Sequence, residues 1–191
     1  MPVQIGASSP SFADPTKLLS DCHRRIEMFL RVLHAVAENA NHPLDSETRV
    51  SLETALRYFR EAAPKHTEDE EASLFPRLRR LEDADAKLAL SRLESLEADH
   101  HNVAPLHESV ERLGMQYLET ASLRPSQVEE FRGAINKLVS IYSQHISVED
   151  DIIFPVAAKL LSAADKRAVG SEMANRRNIR PIQIELPEIS A

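Results

Sequence analysis

The stretch His66-Thr-Glu-Asp-Glu70-Glu71-Ala-Ser-Leu-Phe75-Pro76 occurs a second time, with the same spacing, as His145-Ile-Ser-Val-Glu149-Asp150-Asp-Ile-Ile-Phe154-Pro155. Each copy has a histidine, a glutamate four positions later, another acidic residue directly after it, and a closing Phe-Pro. On an α-helix, side chains at i and i+4 lie on one face, a turn apart. Each copy therefore directs an imidazole and a carboxylate toward the same point. In the first copy, Phe75 and Pro76 are expected to close the helix.

Apolar residues recur at alternating steps of three and four through both copies and through two further segments, which is typical of helices packed along a seam. The predicted helices start after Asp14-Pro15, near Glu47, after the turn at 81–85, and at a capping-box pattern, Ser126-Gln-Val-Glu129. This pattern predicts an all-α, up-down-up-down four-helix bundle with a short extra C-terminal helix and tails. We assign 1–14 to a flexible lead-in, 15–160 to the bundle, and 161–191 to the short helix and an extended tail.

Composition narrows the function classes. The formal charge of −7 and the lack of a basic stripe argue against a nucleic-acid partner. No apolar run approaches the roughly 18 residues of a membrane span, and the first residues do not have the pattern of a secretory signal. The single cysteine, Cys22, excludes an internal disulfide framework. We therefore expect a cytoplasmic protein with no membrane partner.

Each seam carries one histidine near the same end of the predicted bundle, and two seams add a carboxylate one turn further on. The converging residues are His23, His66, Glu70, His100, His145 and Glu149. Such groups are costly to bury unless they are paired or bind metal, and mixed nitrogen and oxygen donors suit iron or manganese. Two octahedral ions offer about 12 coordination places, of which these residues and one bridging oxygen fill about ten, so a small molecule can bind.

Simpler readings compete with this one. A single histidine on an apolar seam is usually a hydrogen-bonded core residue, and an acidic run such as Glu68–Glu71 is usually a solvated face. Four seam histidines at one level, with two i+4 carboxylates in a repeated motif, favour a metal site. The same seam selects His100 over His101, and Glu149 over Asp150. It leaves His107 and Tyr142 as core or cavity-lining groups, and Cys22 as a packed residue or a redox-sensitive thiol.

The twin motifs, together with one histidine on the first and one on the third helix, resemble the hemerythrin-like (HHE cation-binding) domain over about residues 15–160. The resemblance implies a non-haem di-iron centre with oxo or hydroxo and carboxylate bridges. It makes the four histidines above terminal ligands and Glu70 and Glu149 bridging ligands. Two departures from the oxygen carriers matter. Ala104 stands where those carriers have a second third-helix histidine, which argues against simple oxygen transport. Those carriers also use the acid at the position of Asp150 as the bridge, whereas the seam places Glu149 inward.

The leading hypothesis is a di-iron protein that binds dioxygen, nitric oxide or peroxide for sensing, storage, or defence against oxidative or nitrosative stress. The residues favour a binding protein, while a peroxide- or nitric-oxide-handling activity stays open. One alternative is an iron storage or delivery protein, although ferritin-like sites use more carboxylates. The other is a helical interaction module with structural histidines. The sequence names no protein partner.

Overall fold

The computed structural model describes residues 12–179, and every regular element in this range is helical. Within residues 12–179, eight α-helices and two π-helical turns follow one another. In order they are α1 (Pro15–Glu38), α2 (Ser46–Glu61), α3 (Ala63–Asp69), the first π turn (Glu70–Leu74), α4 (Phe75–Leu78), α5 (Ala84–Thr120), α6 (Pro125–Val148), the second π turn (Glu149–Ile153), α7 (Phe154–Leu160) and α8 (Ala163–Arg176).

These elements form four rods. The first rod is α1, the second runs from α2 through α4, the third is α5, and the fourth runs from α6 through α7. The first rod packs against the second and fourth, and the third packs against the same two, so the four rods close a ring. The predicted four-helix bundle with a short extra C-terminal helix is confirmed.

The first residues of α1 agree with the prediction from the sequence, and those of α6 do not. The Asp14 side chain accepts a hydrogen bond from the backbone of Lys17, and Pro15 takes the first helical position, as predicted. The expected cap at Ser126 is wrong, because α6 starts at Pro125. There the Gln127 side chain accepts a hydrogen bond of 3.1 Å from the backbone N–H of Arg124. Proline suits the first position of a helix, so Ser126 falls inside the first turn.

The prediction that Phe75 and Pro76 close the predicted second helix is also wrong. In both copies the helix widens into a π turn that starts at the glutamate, and α-helix resumes at the phenylalanine. The backbone N–H of Phe75 bonds to the carbonyl of Glu70, and that of Phe154 bonds to Glu149. A proline inside a regular α-helix loses a hydrogen bond and clashes with the carbonyl four residues earlier. The wider π turn just before it lets the rod continue.

The hydrophobic core consists of two clusters. One contains Ile26, Leu56, Val103 and Ile135, and the other contains Leu19, Phe75, Leu96 and Phe154, among others. On α1, His23 lies between Leu19 of one cluster and Ile26 of the other. On α5, His100 likewise lies between Leu96 and Val103. A polar layer therefore crosses the bundle between two apolar cores.

The short C-terminal helix, α8, packs on α1, α3 and the first π turn, and its Val169 and Met173 join the second apolar cluster. The lead-in as far as residue 11 and the tail from residue 180 lie outside the described residues. Among residues 12–179, even the longest helices lack an apolar stretch that would fit a bilayer.

Candidate metal centre

The structure brings together all six side chains selected from the sequence. Glu70 and Glu149 are fully buried, as is His23, while His66 and His145 are each 4% exposed. The Nε2 atom of His66 lies 3.1 Å from Glu70, and those of His23 and His145 lie 3.1 and 3.2 Å from Glu149. The Nε2 atom of His100 lies 3.6 Å from Glu70 and 3.1 Å from the Nε2 atom of His145. All four imidazoles therefore direct Nε2 toward the two carboxylates.

The six residues form two overlapping groups that each have the composition of a metal site. One group is His23, His66, Glu70 and Glu149, and the other is Glu70, His100, His145 and Glu149. Within each group the four donor atoms lie within 4.8 Å of one another. Both glutamates belong to both groups, so each carboxylate lies beside the centre that the four histidines share and could serve either group.

A π turn begins at each of these two carboxylates. Glu70 and Glu149 are each the first residue of a π turn, directly after the α-helical segment that carries the motif histidine. The i+4 relation brings the carboxylate over the imidazole, and the wider turn then shifts the following residues relative to a regular helix. The i+4 pair follows from the sequence spacing, whereas the π turn leaves in the sequence only a proline at the same place in both copies.

Three of the four histidines also contact a carboxylate on the outer ring nitrogen. The Nδ1 atom of His23 lies 2.9 Å from Asp150, that of His100 lies 2.7 Å from Glu71, and that of His145 lies 3.4 Å from Asp99. A carboxylate in this position keeps the ring proton on Nδ1, which leaves the lone pair of Nε2 free to bind a metal. It also makes Nε2 a stronger metal ligand. Asp99 was missed from the sequence, where it is simply the residue before His100.

Asp150 and Glu149 lie on opposite sides of the histidine cluster. Its carboxylate contacts the outer edge of His23, accepts a hydrogen bond from Ser20 at 2.8 Å, and pairs with Arg24. The Glu149 carboxylate instead lies inside the cluster, beside both His23 and His145. The geometry thus puts Glu149, as the seam suggested, on the inner side and Asp150 on the outer side.

Without a cation, burial and mutual repulsion spread the pKa values of the cluster. Burial, and then the charge of Glu149, raise the pKa of Glu70 above its usual range. Burial opposes charge on His23 and on Glu149 too. Close contacts with Asp150, Glu149 and Glu70 nevertheless raise the pKa of His23 to about 11, and contacts with His145 and His23 hold the pKa of Glu149 well below its usual range. The metal-free cluster therefore keeps protons that a cation would have to displace.

The unsatisfied atoms of the cluster fit a cation at its centre. On the inner side of the cluster, five buried atoms have no hydrogen-bond partner of acceptable geometry within the described residues: His23 Nε2 and both carboxylate oxygens of Glu70 and of Glu149. Buried polar atoms are normally paired, and carboxylate oxygens grouped without donors repel one another. A positive ion among them would satisfy these atoms together, so the donor set fits the type of metal site indicated by the sequence.

A small cavity of about 10 Å³ adjoins the cluster. Its lining includes the four histidines and, on the side away from the glutamates, Ile26, Ala63, Tyr142 and Ile146. A cavity of this size has room for about one water molecule. The space next to the cluster therefore suits a ligand of very few atoms.

The remaining candidates lie outside the cluster. His101 is exposed, and its Nδ1 contacts the backbone carbonyl of Glu97 at 2.7 Å. His107 Nε2 contacts the Tyr142 hydroxyl at 3.0 Å, one layer away from the glutamates. Cys22 is buried, and burial raises the pKa of its thiol. The choice of His100 over His101 agrees with this placement.

Two arginines at the end of α8 contact the first motif copy on the side away from the cluster. Asp69, next to Glu70, is fully buried and pairs with Arg176 at 2.8 Å and with Arg177 at 2.7 Å. Arg176 also donates a hydrogen bond of 2.8 Å to the hydroxyl of Ser73, inside the first π turn. The end of the C-terminal helix thus holds the segment that presents His66 and Glu70.

Comparison with known proteins agrees with this geometry. The chain is 27% identical over 168 residues to an uncharacterized protein of Haemophilus influenzae, and the match covers 87% of this chain and 92% of that protein. The family description "Hemerythrin HHE cation binding domain" matches residues 14–157, a range that contains all six clustered side chains. The chain belongs to the hemerythrin HHE cation-binding domain family.

Proposed function

We propose that this protein holds two non-haem iron ions and binds a small molecule at them. His23 and His66 would hold one ion, His100 and His145 the other, and Glu70 and Glu149 would bridge the two. The observation that carries the proposal is the pair of four-residue donor groups that share both glutamates. Membership of a cation-binding family supports it independently.

The donor chemistry favours a first-row transition metal. Each position would receive two imidazole nitrogens and two carboxylate oxygens, a mixture that suits iron better than calcium, which prefers oxygen alone. Manganese accepts similar donors, so we name iron on the strength of the family as well as the donor set. The protein's own part is to keep these six groups dry, oriented and close together between two apolar clusters.

The ligand would be a diatomic molecule or peroxide. Four protein donors leave about two places on each octahedral ion, and a bridging oxygen would take one of them on each. The neighbouring cavity of about 10 Å³ admits only very small molecules, which supports dioxygen, nitric oxide or peroxide over organic substrates. When bound, the metal pair supplies the open coordination place and the capacity for oxidation and reduction.

The biological role that we propose is sensing, storage, or defence against oxidative or nitrosative stress. A water-sized cavity beside a buried cluster is suited to reversible binding of such molecules. Turnover of peroxide would be a second property of the same site. We propose a protein without nucleic-acid or membrane partners.

Metal analysis combined with optical spectroscopy tests the proposal. The aerobically purified protein should contain about two irons per chain and show the near-ultraviolet charge-transfer bands of bridged ferric ions. Adjacent histidines provide a matched control: His100→Ala should lose iron, whereas His101→Ala should keep it, because His101 is exposed and its ring contacts the backbone carbonyl of Glu97. A colourless protein free of metal, or a His100→Ala variant with unchanged iron content, would contradict the proposal.

A further inference from the structure

The two motif copies make nearly equivalent contacts to histidines on the other two helices of the bundle. In each copy an acid follows the inward glutamate, and that acid contacts a histidine on a different rod. Glu71 contacts the outer nitrogen of His100 on α5, and Asp150 contacts that of His23 on α1. Each copy thus contributes a histidine and a glutamate to the centre, and a carboxylate to the back of another histidine.

The pattern breaks at one position. Asp99, the residue before His100, contacts the outer nitrogen of His145. The corresponding residue before His23 is Cys22, which carries no carboxylate, and its sulfur accepts a hydrogen bond from Arg25 at 3.1 Å. The counterpart of His145 is His66, and its buried Nδ1 has no hydrogen-bond partner.

The two halves of the centre therefore differ in outer support. Both histidines of one half, His100 and His145, contact a carboxylate, while in the other half only His23 does so. The support to His23 is further shared, because Asp150 also binds Ser20 and Arg24. Removing such a carboxylate typically lowers metal affinity by about 10- to 100-fold.

We propose that the two metal positions are unequal: the position formed by His100 and His145 binds its ion more tightly, and the position formed by His23 and His66 is the weaker and more readily exchanged one. This inference rests on the proposed function, since it takes the six residues as ligands. The difference should be nearer to about tenfold than to a hundredfold, because the Asp99 contact is long, at 3.4 Å. Glu71, Asp99 and Asp150 act as positioning residues.

Anaerobic titration of the metal-free protein with cobalt(II), followed by its visible absorption bands and by competition with a chelator, tests this assignment. Two ions that share Glu70 and Glu149 influence each other, so two binding constants alone decide nothing. The variants decide. Asp99→Asn and Glu71→Gln should each weaken the tighter binding event about tenfold, whereas Asp150→Asn should weaken the other event. Asp151→Asn is the matched control, because Asp151 is exposed and its carboxylate bonds to Ser147, so both constants should stay unchanged.

Cys22→Asp adds a gain-of-affinity arm. A carboxylate at this position should strengthen the weaker event and bring the two constants together, provided that circular dichroism shows a native helix content. Two results would overturn the inference while leaving the di-metal site in place. One is that Asp99→Asn and Asp150→Asn weaken the same cobalt-binding event. The other is that Glu71→Gln weakens the weaker cobalt-binding event. Native protein that binds no cobalt would overturn the inference and the proposed function together.

Discussion

The carboxylate of Asp150 lies 2.9 Å from the outer nitrogen of His23, while the neighbouring Glu149 lies 3.1 Å from the inner nitrogen of the same ring. Two consecutive acids thus hold one imidazole from opposite edges. The inner acid is fully buried and also contacts His145, and the outer acid is 20% exposed and shares its charge with Arg24. Glu149 is therefore the candidate bridging ligand, and Asp150 is the candidate residue that orients His23.

The first prediction separates these two roles by substitution. Glu149→Ala should lose most of its metal, because a bridge between both ions disappears. Asp150→Ala should still reach about two irons per chain at saturating iron, with an affinity lower by about 10- to 100-fold, because only the orientation and donor strength of His23 suffer. Metal analysis after dialysis against graded chelator measures both, and Asp151→Ala serves as the control. Iron lost from the Asp150 variant alone would reverse the assignment.

The sequence was sufficient for the helices and for the six clustered residues, for a physical reason. A buried helix face repeats every three or four residues, so the seam fixes which side chains point inward, and the i+4 rule then pairs each motif histidine with its glutamate. His100 could be separated from His101 in this way, since one residue along a helix turns the side chain by about 100°.

Contacts between helices could not be read in the same way. Asp99 follows the seam of its own helix poorly, yet it reaches His145 on α6. Asp69 looked like a solvated acid within an acidic run, but Arg176, 107 positions later, pairs with it. The π turns were missed because a local change from the usual 3.6-residue period leaves the apolar pattern nearly intact. These features depend on neighbouring rods, which periodicity does not describe.

The second prediction concerns the acid sensitivity of the metal-free protein. Burial lowers the pKa of His107 from its usual 6.5 to about 4. The unfolded chain therefore binds a proton between those pH values that the folded chain does not, so the stabilisation is complete above about pH 6.5 and is lost as pH falls toward 4. The loss amounts to about 2–3 kcal/mol in the free energy of unfolding.

Urea unfolding of native protein and of His107→Leu, each at pH 7 and pH 5, measures this contribution. The variant lacks the titrating group, so its stability should fall less between the two pH values than that of the native protein. The exposed His101 provides the control, because His101→Leu should keep the native pH dependence. Equal pH dependence in native and His107→Leu proteins would refute the role of His107.

The third prediction is that metal binding releases protons. At pH 7 the metal-free cluster keeps a proton on His23, whose pKa is raised to about 11, and burial favours the protonated form of Glu70. A cation requires these groups as free electron-pair donors, so binding should release protons and the apparent affinity should rise with pH. Calorimetric titration in two buffers of different ionisation enthalpy measures the number released. A binding enthalpy that is the same in both buffers would rule out this account.

The last prediction concerns the contact between α8 and the first motif copy. Replacing both Arg176 and Arg177 with alanine leaves the fully buried Asp69 without its cations, which should cost about 3 kcal/mol of the free energy of unfolding. Adding Asp69→Ala to that double variant should restore part of the loss, because the isolated buried charge, more than the missing attraction, causes it. Urea unfolding of the metal-free proteins measures each step, and Lys159→Ala, which removes an exposed pair with Asp85, should leave the unfolding midpoint nearly unchanged. If the triple variant were less stable than the double variant, Asp69 would be stabilised by something other than the two arginines.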